Sequence, residues 1–416
     1  MKTLQFIITF ILILSISAAC NKNDSDPGKT TMKQVQLTEK QKQLIDNNNA
    51  FGFEFFRKVN EFSGGQTNLM VSPLSVSMAL GMTRNGSRGT TLKDMTQTLG
   101  FGSLTDQEIN ESYKYILGTF TGLDPKVKLT IANSIWYRNN FTVEQPFINT
   151  NQQYFDASVT PLDFADPASV DIINAWVNEK TNQLIPDIID AIPGDAVMYL
   201  INAVYFKGQW KYQFEKSNTQ PKLFYLSDDA EIQAQFMLQH ATYPFLQGMG
   251  FKAVELPYNQ GNFTMTVFLP DADKTVNDVI NQLSQENWVM WSSQLSSTDI
   301  QLQLPKFKYE YDEKKMKPIL SAMGMEVAFD PDNADFTGIN PDGGLYISEV
   351  KHKTFIEANE EGTEAAAVTS VEVGVTSVGP DPQPLFMKID RPFVYFIQEK
   401  ATGTLLFIGK VMNPND

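Results

Sequence analysis

The chain has 416 residues, 42% of them hydrophobic and 12% aromatic, with 29 Phe; this is ample material for a large packed core and excludes an intrinsically disordered protein. Lys+Arg minus Asp+Glu is 33 − 48 = −15, which leaves no cationic footprint for nucleic acid, and none is expected as a partner. One Cys and two His exclude a disulfide framework and every Cys/His zinc site with the usual four ligands, and neither a metal nor a cofactor is expected.

Lys2 is followed by an apolar run over residues 4–16. It is shorter than the roughly 20 residues of a membrane span and has the length of an export leader. Ser17-Ala18-Ala19 and then Cys20 resemble the lipobox of bacterial lipoproteins, with Ser17 where that pattern more often has Leu. The resemblance implies a signal peptide over 1–19 and lipidation of Cys20. Residues 20–40 then read as a polar tether, and 41–416 as one domain. It also implies an exported protein anchored to a bacterial outer membrane, at its periplasmic face or at the cell surface. An ordinary secretion signal cut near Ala19, with Cys20 incidental, is the other reading.

Thr38 and Gln41 form a capping-box pattern. Leu44, Phe51, Phe55, Val59 and Phe62 then recur at helical spacing. Ser72-Pro73 predicts a second helix start, ending at Asn85-Gly86. Val170, Ile173, Trp176 and Val177 predict a further helix. Residues 129–137, 198–206, 263–269, 300–304, 345–350 and 393–397 read as strands. Helices mostly early and strands mostly late favour an α+β fold over a regular βαβ array.

The segment 363–375 is unusual. Thr363, Ala365, Ala367, Thr369, Val371, Val373 and Val375 share one face of any extended conformation, uniformly small or β-branched. Continued to Thr376, the strand would have about 14 residues and span ~45 Å, where the common strand has five or six. Gly379, Pro380, Pro382 and Pro384 follow and cannot continue it.

Scattered motifs, in order, then carry a resemblance. They are Asn68-Leu-Met-Val-Ser72-Pro73-Leu-Ser75, Asn202-Ala-Val-Tyr-Phe-Lys-Gly-Gln-Trp210, Leu304-Pro-Lys-Phe307, Ala334-Asp-Phe-Thr-Gly-Ile339, His352-Lys353, Glu360-Glu-Gly-Thr-Glu-Ala-Ala-Ala367, Asp390-Arg-Pro-Phe393 and Phe407-Ile-Gly-Lys410. Over residues 44–414 the chain resembles a serpin. The resemblance implies the serpin fold, helices packed on mixed β-sheets with an exposed reactive loop over about 360–386. It implies no enzyme but a suicide-type inhibitor of serine proteases. The protease attacks the loop, and the loop inserts into the main sheet before the acyl-enzyme is hydrolysed. A covalent 1:1 complex with a monomeric inhibitor is expected. The alternative is a serpin-fold binding protein that is cleaved without trapping.

The same resemblance implies the site residues. The hinge is Glu361, Gly362, Thr363, Glu364, Ala365, Ala366 and Ala367, with Gly362 for backbone freedom and small inward side chains. Ser72, Ser75, Asn202 and His352 meet beneath the sheet where its strands part. Trp210 and Phe214 lie where insertion starts. Fourteen residues past Gly362, the attacked bond falls at Thr376-Ser377, with Val375 and Val378 as alternative reactive residues. Counting back from Pro392 places it instead near Asp381.

Residues 363–386 hold no Lys or Arg, and no aromatic before Phe386. Val375, Thr376 and Val378 therefore suit an elastase-like or subtilisin-like target. Residues 88–116 carry only Arg88, Lys93 and Lys114 as cations, so no glycosaminoglycan partner is expected. Ser348-Glu-Val-Lys351 fits the S-x-x-K pattern of penicillin-recognising enzymes, but in a strand its Ser and Lys face opposite ways, and it reads as chance. His240 reads as structural.

Overall fold

The computed structural model describes residues 32–65, 67–227, 230–363 and 383–416. Cys20, Glu364, Ala365, Ala366, Ala367, Val375, Thr376, Ser377 and Val378 therefore lie outside the described residues. In chain order the helices are α1 (Glu39–Phe62), α2 (Pro73–Arg84), α3 (Gly89–Thr98), α4 (Asp106–Phe120), α5 (Gln145–Phe155), α6 (Ala168–Lys180), α7 (Val276–Ile280), α8 (Gln285–Gln294) and α9 (Met316–Leu320). The strands are β1 (Leu69–Val71), β2 (Val127–Arg138), β3 (Ser158–Leu162), β4 (Met198–Gln209), β5 (Gln220–Tyr225), β6 (Glu231–Gln247), β7 (Phe251–Pro257), β8 (Phe263–Pro270), β9 (Ser296–Pro305), β10 (Phe307–Asp312), β11 (Lys353–Ala358), β12 (Gly362–Thr363), β13 (Leu385–Lys388), β14 (Phe393–Glu399) and β15 (Thr404–Val411).

Local signals set the first two helices. Thr38 and Gln41 cap α1 reciprocally, and Leu44, Phe51, Phe55 and Val59 are buried along one stripe. Ser72 Oγ accepts the Ser75 N–H at the start of α2, where Pro73 occupies the first turn. The folded unit begins at Met32. Residues 32–38 belong to it rather than to the tether: Lys33 and Asn262 exchange hydrogen bonds at 3.2 and 2.9 Å, and Val35 and Leu37 pack on the core.

Among the described residues there are two sheets. The larger runs β1-β15-β14-β8-β7-β6-β9-β13, with β5 also paired to β6; the smaller runs β10-β11-β12-β4-β2-β3. Helix α2 packs against both β4 and β15 and is buried along nearly its whole length. Main-core side chains continue across both sheets. Alternation along β4 divides its faces. Asn202 points toward Met78 of α2, while Ile201 and Ala203 join a separate apolar cluster with Ile173, Val177, Ile188 and Ile189. Helix α6 and the segment after it thus lie on the opposite face of β4 from α2, with a satellite core of their own.

Residues 345–350, read as a strand from their composition, are not one. The β10–β11 ladder ends at Asp312↔Lys353, and on the other side β11 and β4 are joined only through two-residue β12. Before Lys353 there is no described strand to pair with. Ser348 is exposed, and Lys351 Nζ pairs with Glu349 at 2.7 Å. The S-x-x-K match therefore lacks its structural context.

Candidate functional site

The site is a slot between β4 and β11. Among the described residues no register pairs these two strands directly. Residues Gly362 and Thr363 sit between them, antiparallel to both: Gly362↔Gln209, Thr363↔Gly208 and Ala358↔Thr363. Two residues of the hinge are therefore already strand residues of the sheet.

The mouth of the slot is fixed from several directions. Trp210 N–H donates to the Glu361 carbonyl and Phe214 N–H to the Glu360 carbonyl, each at 2.9 Å. Trp210 Nε1 donates to the Asn359 carbonyl at 2.9 Å, and its ring stacks on Tyr258 at 4.5 Å between centroids. Tyr258 Oη and Thr363 Oγ1 share a hydrogen bond of 2.6 Å, both buried, and burial holds the phenol well above its ordinary range. Thr363 is thus buried with its hydroxyl satisfied, and Trp210 stands at the mouth of the slot. Gly362 has a firmer reason than backbone freedom: a Cβ there would lie 2.0 Å from the Gly208 carbonyl oxygen.

The two hinge acids are held by cations. Glu360 is paired with Lys306 at 3.0 Å and accepts the Thr219 hydroxyl at 2.8 Å. Burial pushes its carboxyl up, but the Lys306 and Thr219 donors outweigh that, and it stays below the usual carboxylate range. Glu361 pairs with Lys216 at 2.5 Å.

Further down the slot the four expected polar residues come together. His352 Nε2 accepts the Ser72 N–H at 3.0 Å, and Ser72 Oγ donates to the Leu406 carbonyl at 2.7 Å. Ser75 Oγ donates to the Asn202 main-chain carbonyl at 3.3 Å. Asn202 Nδ2 donates to Asn133 Oδ1 at 2.6 Å, and Asn133 Nδ2 to the Phe155 carbonyl at 2.6 Å. Burial alone lowers His352 to a pKa of about 4, so it is a neutral acceptor near pH 7. Asn202 Oδ1 is buried with no hydrogen-bond partner among the described residues. In a native interior such an atom calls for an explanation.

Asn133 and Tyr258 escaped the reading of the sequence. Asn133 could have been found as a lone amide inside an otherwise strand-forming run; it stands directly opposite Asn202 in the β2–β4 register. Tyr258 carried no local signal. His240 is exposed, 2.9 Å from Asp299, and remote in register from the slot.

A cavity of about 120 Å³ continues the slot downward. Leu80 of α2, Met198 and Leu200 of β4, and Ile347 and Val350 line it.

Comparison with known proteins accounts for this arrangement. Residues 46–414 match the family model Serpin (serine protease inhibitor). The chain is 33% identical over 367 residues to neuroserpin of Homo sapiens, covering 85% of this chain and 87% of that one. It is 31% identical over 383 residues to antithrombin-III of Homo sapiens, covering 89% and 82%. Against a serpin-like protein of Methanosarcina acetivorans it is 30% identical over 422 residues, covering 98% and 97%. Among solved structures, the thermophilic serpin tengpin in its native state aligns with a TM-score of 0.80 at 33% identity, covering 92% of this chain and 97% of that one. Human thyroxine-binding globulin complexed with thyroxine aligns at 0.82 and 26% identity, covering 91% and 100%. The chain belongs to the serpin family and has the serpin fold. Serpins are in general protease inhibitors rather than enzymes.

Proposed function

We propose that this serpin traps serine endopeptidases as acyl-enzymes by inserting residues 364–376 between β4 and β11. The observation that carries the reading is β12: the hinge is already paired on both sides and Thr363 is already buried. Continuing its register gives the rest. Paired positions sum to 571 with β4 (363 + 208) and to 721 with β11 (363 + 358). Residue 369 then stands opposite both Asn202 and His352, and Thr369 supplies a hydroxyl donor beside the orphaned Asn202 Oδ1. Val371 stands opposite Leu200 and Val350, and Val373 opposite Met198 and Ser348, so the valine stripe meets the lining of the cavity.

The inward positions 363, 365 and 367 are Thr, Ala and Ala, small enough to enter without resistance. About a dozen added backbone hydrogen bonds at roughly 1 kcal/mol each compare with a whole-domain stability of about 5–15 kcal/mol. Insertion of that size drives a global rearrangement and makes the uncleaved form metastable.

The attacked bond is Thr376-Ser377, and the target is an elastase-like or subtilisin-like enzyme. Lipidation at Cys20 anchors the chain to the outer membrane of a bacterium. The test of trapping is incubation of residues 32–416 with pancreatic elastase and, separately, trypsin, followed by denaturing electrophoresis and mass spectrometry of the released peptide. An elastase-sized shift resistant to SDS is expected, with a peptide beginning at Ser377. Cleavage without a shift would make the chain a substrate-type serpin, and a stable shift with trypsin alone would overturn the assigned bond. Intact-mass analysis of the membrane fraction, with Cys20→Ala released from it, tests the anchor.

A further inference from the structure

We infer that the ion pair between Lys353 and Asp187 is a rate-setting latch closed across the insertion slot; this rests on the insertion reading above. Lys353 opens β11, on one side of the slot. Its Nζ lies 3.3 Å from Asp187 Oδ2. Asp187 belongs to the segment that leads from α6 into β4, on the other side. The two are separated by 166 positions in the chain, and the pair joins β11 to the layer that packs on the outer face of β4.

Asp187 cannot simply follow β11. The next two residues, Ile188 and Ile189, are buried in the satellite cluster under α6. Their N–H groups donate to Asn174 Oδ1 at 2.9 and 3.1 Å, and Asn174 Nδ2 returns a bond to the Ile189 carbonyl at 2.8 Å. Asn174 is a residue of α6. Force on Lys353 therefore passes through Asp187 to the whole α6 layer.

The ammonium has two more acidic neighbours, Glu310 at 3.8 Å and Asp312 at 3.9 Å. Both belong to β10, which pairs with β11 on the far side from the slot. They hold the lysine in place whether or not the slot widens. The Lys353 side chain is 12% exposed and that of Asp187 51%, so the pair is partly open to solvent and its strength depends on salt.

The latch also stands at a telling level. Lys353 lies five residues before Ala358, the β11 partner of Thr363, and next to His352. A strand extending from β12 reaches the latch one position before it reaches the Asn202–His352 cluster. Opening the pair is thus a step between hinge pairing and passage of the polar cluster.

The test uses residues 32–416 without any protease. Warming converts the intact chain to the loop-inserted form, read as the appearance of a population with a raised Tm. Asp187→Asn is expected to speed this conversion about two- to fivefold at low salt and less at 1 M salt. Glu310→Gln, which removes a same-side neighbour of the same lysine, is expected to leave the rate unchanged. The double variant Asp187→Asn/Lys353→Gln is expected to convert no faster than Lys353→Gln alone. An Asp187→Asn rate equal to the parent's, or an equal acceleration by Glu310→Gln, overturns the latch. A parent chain that never converts overturns the latch, and a loop-cleaved chain whose Tm is not raised overturns insertion itself. A parent that converts, with the latch pattern intact, but forms no SDS-stable complex with elastase removes the inhibitor reading alone.

Discussion

Nε2 of His352 accepts the main-chain N–H of Ser72 at 3.0 Å, which ties the residue before β11 to the capping residue of α2. The bond requires the neutral ring, and burial lowers the imidazole pKa from an ordinary 6.5 to about 4. Between those values the unfolded chain binds a proton that the folded chain does not. This contribution to stability is fully present above pH 6.5 and is lost as pH falls toward 4, by about 3 kcal/mol in all. Urea midpoints measured from pH 7.5 to 4 should fall across that window, and His352→Gln should flatten the fall. An equal slope in the variant would assign the acid sensitivity to other groups.

Glu360, Lys306 and Thr219 form the outer clasp of the hinge. Replacing Glu360 with Lys sets two ammonium groups against each other and strands the Thr219 hydroxyl. A loss of about 1–3 kcal/mol is expected, the range for a buried charge-assisted hydrogen bond left without its partner. Hydrogen exchange should quicken at the amides of Trp210 and Phe214, which bond the Glu361 and Glu360 carbonyls, while amides in the middle of α1 stay unchanged. Unchanged exchange at Trp210 would show that the clasp does not hold the mouth of the slot.

Gly362 faces the main chain of β4 across a gap with no room for a methyl group. Gly362→Ala forces β12 away from Gly208, with a cost of about 1–3 kcal/mol from overpacking. Protection of the Thr363 amide should be lost. Under the proposed function, the number of inhibitor molecules consumed per elastase trapped should rise at least tenfold, about 1.4 kcal/mol in the partition. Trapping at the parent's ratio would show that insertion does not start from β12.

Lys410 is fully buried in β15, and among the described residues its ammonium has no carboxylate partner. It donates to Asn60 Oδ1 at 2.7 Å and to the Gly65 carbonyl at 2.6 Å. Burial lowers its pKa from 10.5 to about 8. Above pH 8 the folded chain releases a proton that the unfolded chain keeps up to 10.5, so stability should rise with pH over that window. Thermal unfolding of the parent and of Lys410→Met from pH 7.5 to 10.5 checks this: the parent's Tm should gain relative to the variant's. Parallel curves would sink the assignment.

Much of this was legible in the sequence where a local rule decides. The capping box at Thr38 and the Ser72-Pro73 pair place α1 and α2 to within a residue. Strand β4 follows from its motif, and the meeting of Ser72, Ser75, Asn202 and His352 from resemblance. What stayed hidden depends on partners far away in the chain. Asn133 matters because it faces Asn202 across a ladder, and Tyr258 because it bonds Thr363 and stacks on Trp210. Residues 345–350 have the composition of a strand, but no described strand pairs with them, and composition alone cannot report a missing partner. Gly362 drew attention for its freedom, whereas its smallness is what the packing demands.

The segment that begins at Thr363 in the smaller sheet next appears at Leu385, paired with β9 in the larger one. Its two ends are fastened to different sheets. Under the proposed function, one cut lets the upstream half leave the downstream half permanently, since no described element draws the two back together. Such a molecule counts events rather than catalysing them. Its capacity is set by how many copies are present, and renewal requires new synthesis.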